Sequence, residues 1–358
     1  MGLPFAPQRL NVLFLQDGSP PLEQVRAIAP ERLSVAVLPP GSVVADAETE
    51  MHPPTGGLAK RKPWQTDVPP AERKRLLAAA HVLVCGLPYP FALRERMPNL
   101  RWVQYVYAGV SDFRHCDLWD AGIPVASGRG YVEALPIAEM LIAALLHFGK
   151  NLGLAQTQTK AGHVDRTPFR LRLIADKTLC IVGLGGIGQE TARLAKGLGL
   201  RVVGTRRAVN PGESMPNVDV LAPMDGLPAL LAEADYVALC APLTPETENL
   251  FDAAAFARMK DGAVLMNVAR GELVDEGALK DSLRSGKIGG LYTDVFRNET
   301  ASQPDPELMA LPNVLITPHN SGAVDVRHAF STQLLLRNLA HNLAGEPLEN
   351  LVDWARGY

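Results

Sequence analysis

The clearest capacity for chemistry lies in three glycines of the stretch Cys180-Ile-Val-Gly-Leu-Gly-Gly-Ile-Gly-Gln-Glu-Thr-Ala-Arg. Gly183, Gly185 and Gly188 fit G-x-G-x-x-G: the first permits a tight turn, the second lets the backbone approach a pyrophosphate, and the third allows close helix–strand packing. Gly186 and Ile187 complete the turn, and a helix beginning near Ile187 would aim its unpaired N–H groups at phosphates. The apolar run before the turn, the helix through Leu194 and the strand Arg201-Val-Val-Gly-Thr make up a βαβ unit. In that setting the glycines read as a dinucleotide site.

The end of that second strand discriminates between cofactors, because NAD sites usually place an acid there to hold the ribose 2′-hydroxyl. Here it reads Thr205-Arg206-Arg207. A carboxylate would repel a 2′-phosphate, whereas a guanidinium forms charge-assisted, often bidentate bonds with it, so NADP is expected ahead of NAD. The competing reading is a solvated strand end.

Three further polar clusters follow strand-like runs: Asn267-Val-Ala-Arg270-Gly, Asp294-Val-Phe-Arg-Asn-Glu299 and Thr317-Pro-His319-Asn-Ser. Sites of open α/β sheets lie beyond the carboxyl ends of the strands. Singly, Arg270 could be a surface ion-pair partner, Glu299 a solvated acid and His319 a satisfied histidine. Together, on successive strand ends beside a nicotinamide site, they point to catalysis.

The elements that must position these residues are legible as apolar runs. Asn11–Leu15, Ser34–Leu38, His81–Cys85 and Trp102–Tyr107 predict a first α/β unit, and Leu179–Val182, Arg201–Thr205, Tyr236–Leu239, Ala263–Val268, Gly290–Val295 and Val314–Thr317 a second. The expected fold is α/β in two domains, a Rossmann-type doubly wound parallel sheet plus a flavodoxin-like substrate domain. The expected boundaries are 1–126 for the substrate domain, 127–322 for the dinucleotide domain, and 323–358 for a C-terminal helix returning to the first. A long apolar helix from about Tyr131 to Lys150 would cross between them. The Pro- and Gly-rich connection Pro39 to Pro70 reads as either a mobile loop or a functional cover.

Composition excludes several classes. The 358 residues carry a net charge of −3, which gives no basic footprint for nucleic acid or an anionic membrane. Cys85, Cys116, Cys180 and Cys240 form no C-x-x-C pair, so they read as reduced, mostly buried thiols, and no metal site is expected. The apolar segment Ala134 to Phe148 contains Glu139 and is too short to span a bilayer. A cytoplasmic protein is expected.

In these motifs the chain resembles the D-isomer-specific 2-hydroxyacid dehydrogenase family. The resemblance rests on the Gly183–Gly188 turn, Ala241-Pro-Leu-Thr-Pro-Glu-Thr, Asn267-Val-Ala-Arg-Gly-Glu-Leu-Val-Asp, Asp294-Val-Phe and Leu311-Pro-Asn-Val-Leu-Ile-Thr-Pro-His, with weaker support from Ala108-Gly-Val and Pro136-Ile-Ala-Glu139. It implies that Arg270 holds the substrate carboxylate or carbonyl with its planar fork. It implies that His319 exchanges a proton with the carbonyl oxygen and that Glu299 raises the His319 pKa. It places Asp294 against the nicotinamide amide, with Pro242, Thr247, Val268, Ala269 and His319 also bordering the cofactor. Gly86, Leu87, Tyr107, Ala108, Gly109 and Val110 would complete the carboxylate site, and the polar stretch Asn151 to Asp176 would be the arm of a homodimer.

Departures from the family pattern bear on the substrate. Tyr107 and Ser111 stand in a Gly-Ala-Gly-Val-Asp pattern, Ser127 replaces a common Asn, and Asn320 and Ser321 replace a small apolar pair. The expected activity is NAD(P)H-dependent reduction of a small 2-keto acid, glyoxylate or hydroxypyruvate, to the D-2-hydroxy acid, with the reverse oxidation. The alternatives are a phosphite or other small-oxyanion dehydrogenase on the same scaffold and a nucleotide-sensing corepressor.

Overall fold

Each strand-like run lies in one of two parallel sheets. The computed structural model describes residues 9–15, 20–39, 67–86, 92–110, 116–118, 121–130, 133–299, 302–324 and 327–355. β1 (Leu10–Leu15), β2 (Leu33–Leu38), β3 (Val82–Cys85), β4 (Trp102–Tyr105) and β5 (Val125–Ala126) pair in the order β2-β1-β3-β4-β5, all parallel. That is the flavodoxin-like order. β6 (Thr178–Val182), β7 (Arg201–Thr205), β8 (Val220–Ala222), β9 (Tyr236–Leu239), β10 (Ala263–Asn267), β11 (Ile288–Thr293) and β12 (Val314–Ile316) pair in the order β12-β11-β10-β9-β6-β7-β8. The order reverses between β6 and β9, the switch point of a doubly wound sheet, where ligand crevices form. Expected strand positions hold throughout; β5 and β8 are additions, too short to show a pattern in the sequence.

The strands read as continuous apolar runs because both faces of each sheet are covered, so alternate side chains enter different cores. On β6, Leu179 and Ile181 join a cluster with Leu141, Leu145 and Ala192, while Cys180 and Val182 join another with Leu239, Phe251 and Leu265. β1 divides in the same way: Val12 and Phe14 pack with Trp102 and Leu335, and Leu13 and Leu15 with Leu83 and Tyr105. The helix Ala134–Gly149 buries Ile137, Leu141, Ala144 and Leu145, one stripe at helical spacing. The helix Gly186–Gly197 turns small residues, Gly188, Ala192 and Ala195, inward.

The chain divides into two compact units, Met1–Glu133 with Asp325–Tyr358, and Ala134–Val324. The first stretch of unit one thus ends at Glu133, a few residues after the expected boundary at Ser127. The cause is local bonding: Ser127 N donates to Asn350 O at 3.1 Å, and Asn350 Nδ2 donates to the carbonyls of Ser127 and Arg129 at 2.7 and 2.6 Å. The last helix, Arg327–Ala344, belongs to the same unit. Its buried Asn338 donates to Gln104 Oε1 at 2.9 Å and accepts from Glu349 N at 2.7 Å. The 39–70 connection falls largely outside the described residues. No single helix among the described residues is long and apolar enough to cross a membrane.

A Cβ on Gly188 would lie 2.4 Å from Gly183 O and 3.1 Å from Ile181 Cγ2, whereas one on Gly185 would meet nothing within 4 Å. Gly188→Ala is therefore expected to destabilise the second unit by about 1–3 kcal/mol, the range for overpacking a filled core, while Gly185→Ala leaves stability nearly unchanged. Urea unfolding monitored by circular dichroism checks this pair: equal midpoints would contradict the packing.

Candidate active site

Gly183 follows β6 with a φ of 100°, open to glycine, and its N–H donates to Thr205 O at 3.1 Å. A side chain there would strike the backbone of Ala241, its Cβ 2.7 Å from Ala241 N. The helix starts at Gly186, one residue before the expected Ile187, and the space above Gly185 is open. A backbone helix start with no side chain in front of it is the cradle a pyrophosphate requires, so the residues present fit a dinucleotide. In the loop after β9, Thr247 Oγ1 donates to Pro242 O at 2.7 Å and accepts from Thr244 N at 2.8 Å, which fixes Pro242 and Thr247 across the switch point from the glycine turn.

At the end of β7, Thr205 is fully buried. Arg206 and Arg207 follow, both exposed, so the expected cationic strand end is present. Arg206 is already engaged, with Nη1 2.6 Å from Glu213 Oε1. The charge of Arg207 helps hold Glu246 below the ordinary carboxylate range, after the leading hydrogen bond from Thr244.

The three strand-end clusters converge. Asn267, buried at the end of β10, accepts from Ala269 N at 3.0 Å and donates to Arg270 O at 2.9 Å, so its amide closes the Val268–Ala269 turn and presents Arg270. Arg270 Nη1 donates to Ala269 O at 2.7 Å. Gly271 lets the next loop lie across this one, since a Cβ would sit 2.2 Å from Phe296 C. Arg297 ties the two together through Val274 O at 3.3 Å, Glu272 O at 3.1 Å and a hydrogen bond to Asn249 Oδ1.

Asp294, 1% exposed, accepts from Asn320 N at 3.1 Å, Ser321 N at 3.0 Å and the Thr317 hydroxyl. Both its carboxylate oxygens, expected to face the nicotinamide amide, are thus engaged by the segment that carries His319. Tyr292 Oη lies 3.0 Å from Thr317 Oγ1 and extends the network into the sheet. Held in this way, His319 adopts a left-handed φ of 52° and donates its backbone N–H to Thr317 O at 3.0 Å.

His319 Nδ1 lies 2.7 Å from Glu299 Oε1. That hydrogen bond holds the imidazole above its ordinary pKa; burial opposes it, the Glu299 and Asp294 charges assist, and the Arg270 guanidinium works against it. Arg270, Glu299 and His319 are therefore within electrostatic reach of one another. The His319 side chain is half-exposed, and Nδ1 is the ring atom that Glu299 engages.

In the first unit, Gly86 and Tyr107 come together: a Cβ on Gly86 would meet Tyr107 Cε2 at 2.8 Å, and Tyr107 stacks edge-on against Tyr105 with centroids 5.5 Å apart. Gly128 N donates to Tyr107 O at 2.9 Å. Ala108 and Gly109 are partly exposed and Val110 is buried. Leu87 and Ser111 lie outside the described residues. Two groups escaped the sequence reading. Thr317, named only as part of its strand-end cluster, had one usable signal, that a buried Asp at a strand end must find donors nearby; Tyr292, on the strand that leads into Asp294, joins only through Thr317. Glu213 had none, because a turn separates it from Arg206.

With this geometry in view, the comparisons with known proteins are specific. Residues 142–321 match the family model described as D-isomer specific 2-hydroxyacid dehydrogenase, NAD binding domain. A protein of Methanocaldococcus jannaschii named D-3-phosphoglycerate dehydrogenase is 32% identical over 72% of this chain, which spans only 48% of that relative's length. One of Blautia hydrogenotrophica named hydroxypyruvate reductase is 31% identical over 74% of this chain and 82% of its own. A D-isomer specific 2-hydroxyacid dehydrogenase of Xanthobacter autotrophicus, solved with NADPH and MES, superposes with a TM-score of 0.76 at 25% identity, covering 98% of this chain and 100% of that one. The chain belongs to the D-isomer specific 2-hydroxyacid dehydrogenase family.

Proposed function

We propose that this protein reduces a small 2-keto acid, glyoxylate or hydroxypyruvate, to the D-2-hydroxy acid with NADPH preferred over NADH, and catalyses the reverse oxidation. The observation that carries the reading is the 2.7 Å bond between His319 and Glu299, set after strands β12 and β11 of the same parallel sheet that carries the glycine turn after β6. It makes His319 a proton donor that stays charged above its ordinary range. When bound, the nicotinamide supplies the hydride. Arg270 holds the substrate carboxylate with its planar fork, and His319 Nε2 delivers the proton to the carbonyl oxygen. Glu299 keeps the imidazolium formed and oriented. Gly183, Gly185, Gly186, Ile187 and Gly188 cradle the pyrophosphate, and Arg206 and Arg207 take the 2′-phosphate. Gly86, Leu87 and Tyr107 to Val110 are the candidates of the first unit for binding the substrate carboxylate.

The protein is further read as a cytoplasmic homodimer. The segment Asn151 to Asp176 exposes Leu152 at 50%, Val164 at 88%, Leu171 at 63% and Leu173 at 69%. Four large exposed apolar side chains on one segment suit cover by a second copy. The monomeric core gains nothing from them. Replacing Leu171 and Leu173 with Asp is expected to shift a dimer mass toward the monomer in light scattering at micromolar concentration. A monomer before the substitution would remove this part of the proposal.

The activity is tested by following NADPH and NADH oxidation over a panel of 2-keto acids, with D-3-phosphoglycerate and phosphite as substrates in the reverse direction. Turnover of hydroxypyruvate or glyoxylate is expected. Turnover of phosphite alone would replace the substrate class, and no turnover with retained nucleotide binding would favour a sensing role. Arg206→Asp is expected to lower selectivity for NADPH by tenfold or more, as loss of a charged contact is worth about 1.5–3 kcal/mol.

His319→Ala should reduce kcat by about 10²–10⁴ with cofactor binding retained. The pH dependence follows from the raised His319 pKa. Reduction needs the imidazolium, which Glu299 stabilises, so activity persists to a higher pH than a free imidazole would allow. Glu299→Gln removes the leading cause of the shift, and the decline should move to lower pH. An unchanged profile in the variant would show that Glu299 does not govern the proton donor.

A further inference from the structure

The ion pair at the end of β7 has a chemistry of its own. Arg206 Nη1 lies 2.6 Å from Glu213 Oε1, and the other carboxylate oxygen accepts from Asn210 N at 2.9 Å and Asn210 Nδ2 at 3.2 Å. Glu213 N in turn donates to Asn210 O at 3.0 Å, so the acid sits on a turn closed upon itself. Its side chain is 23% exposed against 49% for Arg206. These donors hold Glu213 below the ordinary carboxylate range, the Asn210 backbone leading and Arg206 assisting, so the acid is ionised at neutral pH. A fixed negative charge therefore stands against the guanidinium that follows β7, where the strand end meets a cofactor ribose.

We infer that Glu213 is a specificity-determining residue that restrains the preference for NADPH and keeps NADH usable. The inference rests on the reading of Arg206 as the 2′-phosphate ligand. A phosphomonoester carries about −1.5 to −2 charges at neutral pH. To reach Arg206 it must approach a carboxylate that already neutralises the guanidinium and must share its N–H donors with it. NADH carries a hydroxyl at the same position, which is uncharged, so the carboxylate costs it little and can accept its hydrogen bond. The acid that is missing from the strand end is thus supplied from the turn beyond it, paired with the base.

Equilibrium titration of NADPH and NADH by nucleotide fluorescence, on the intact protein without substrate, tests this. Glu213→Gln keeps an acceptor for Asn210 and removes the charge. It is expected to tighten NADPH about threefold to tenfold, the scale of one surface charge acting on a dianion, with NADH bound as tightly as before or slightly less so. The gain should shrink as salt is raised. NADH titration of the same sample reports that the site is folded. NADPH affinity that stays constant or falls in Glu213→Gln overturns the inference, since the acid would then orient Arg206 for the phosphate. Arg206→Ala and the double variant separate the two readings. If Arg206→Ala leaves NADPH affinity unchanged, the phosphate assignment itself fails. If it weakens NADPH while Glu213→Gln gains nothing, only the role of Glu213 fails. In the double variant the part of the gain that comes from releasing the Arg206 N–H donors should disappear, while the part that comes from repulsion between carboxylate and phosphate should remain and shrink with salt.

Discussion

The site depends on one buried carboxylate. Asp294 is withdrawn from water at the end of β11, and a charge so placed is tolerable only when donors surround it. All three of its donors come from the segment 317–321, so the requirement to satisfy Asp294 is also what folds that segment. The left-handed backbone at His319 is a conformation that a bulky residue adopts only when its surroundings impose it. Here the imposing agent is known: two amides and a hydroxyl drawn to the same carboxylate, with Tyr292 behind the hydroxyl.

From that anchor the other parts follow by close approach. Gly271 brings the 294–299 loop down on the turn that presents Arg270, and Arg297 fastens it to three backbone or amide oxygens. Glu299 consequently arrives beside the imidazole, with its Oε2 buried and meeting no donor among the described residues. A carboxylate with one oxygen bound to His319 and the other shielded from solvent acts strongly on the ring, which is why the hydrogen bond outweighs the burial that would otherwise lower the imidazole pKa.

Much of this was legible in the sequence, for identifiable reasons. Leu179–Val182 and Ala263–Val268 announce themselves because sheets covered on both faces need uninterrupted apolar strands. The glycine spacing carries its own geometry, and the structure places a positive φ at Gly183 and a backbone carbonyl against Gly188. What remained hidden has little side-chain signature. β8 is three half-buried residues at a sheet edge, and the helix Leu152–Lys160 buries only Gln158, so neither has an apolar period to read. The donors to Asp294 are mostly main-chain amides, which every residue owns. The Arg206–Glu213 pair depends on how the chain turns through Asn210, a property of conformation rather than of spacing.

The membership of the last helix in the first unit orders events during synthesis. The 134–324 unit is contiguous and can fold as soon as it is made, whereas the first unit begins and ends on either side of it. Until Leu335, Leu339 and Leu348 emerge, one face of the first sheet, with Val12, Phe14, Val84 and Trp102, has no apolar cover from the C-terminal helix and the segment after it. The buried Gln104 likewise waits for Asn338. The nascent chain therefore carries an adhesive half-finished sheet for the time needed to translate the whole second unit. During that interval the uncovered apolar face is the surface of the chain most open to association with other chains.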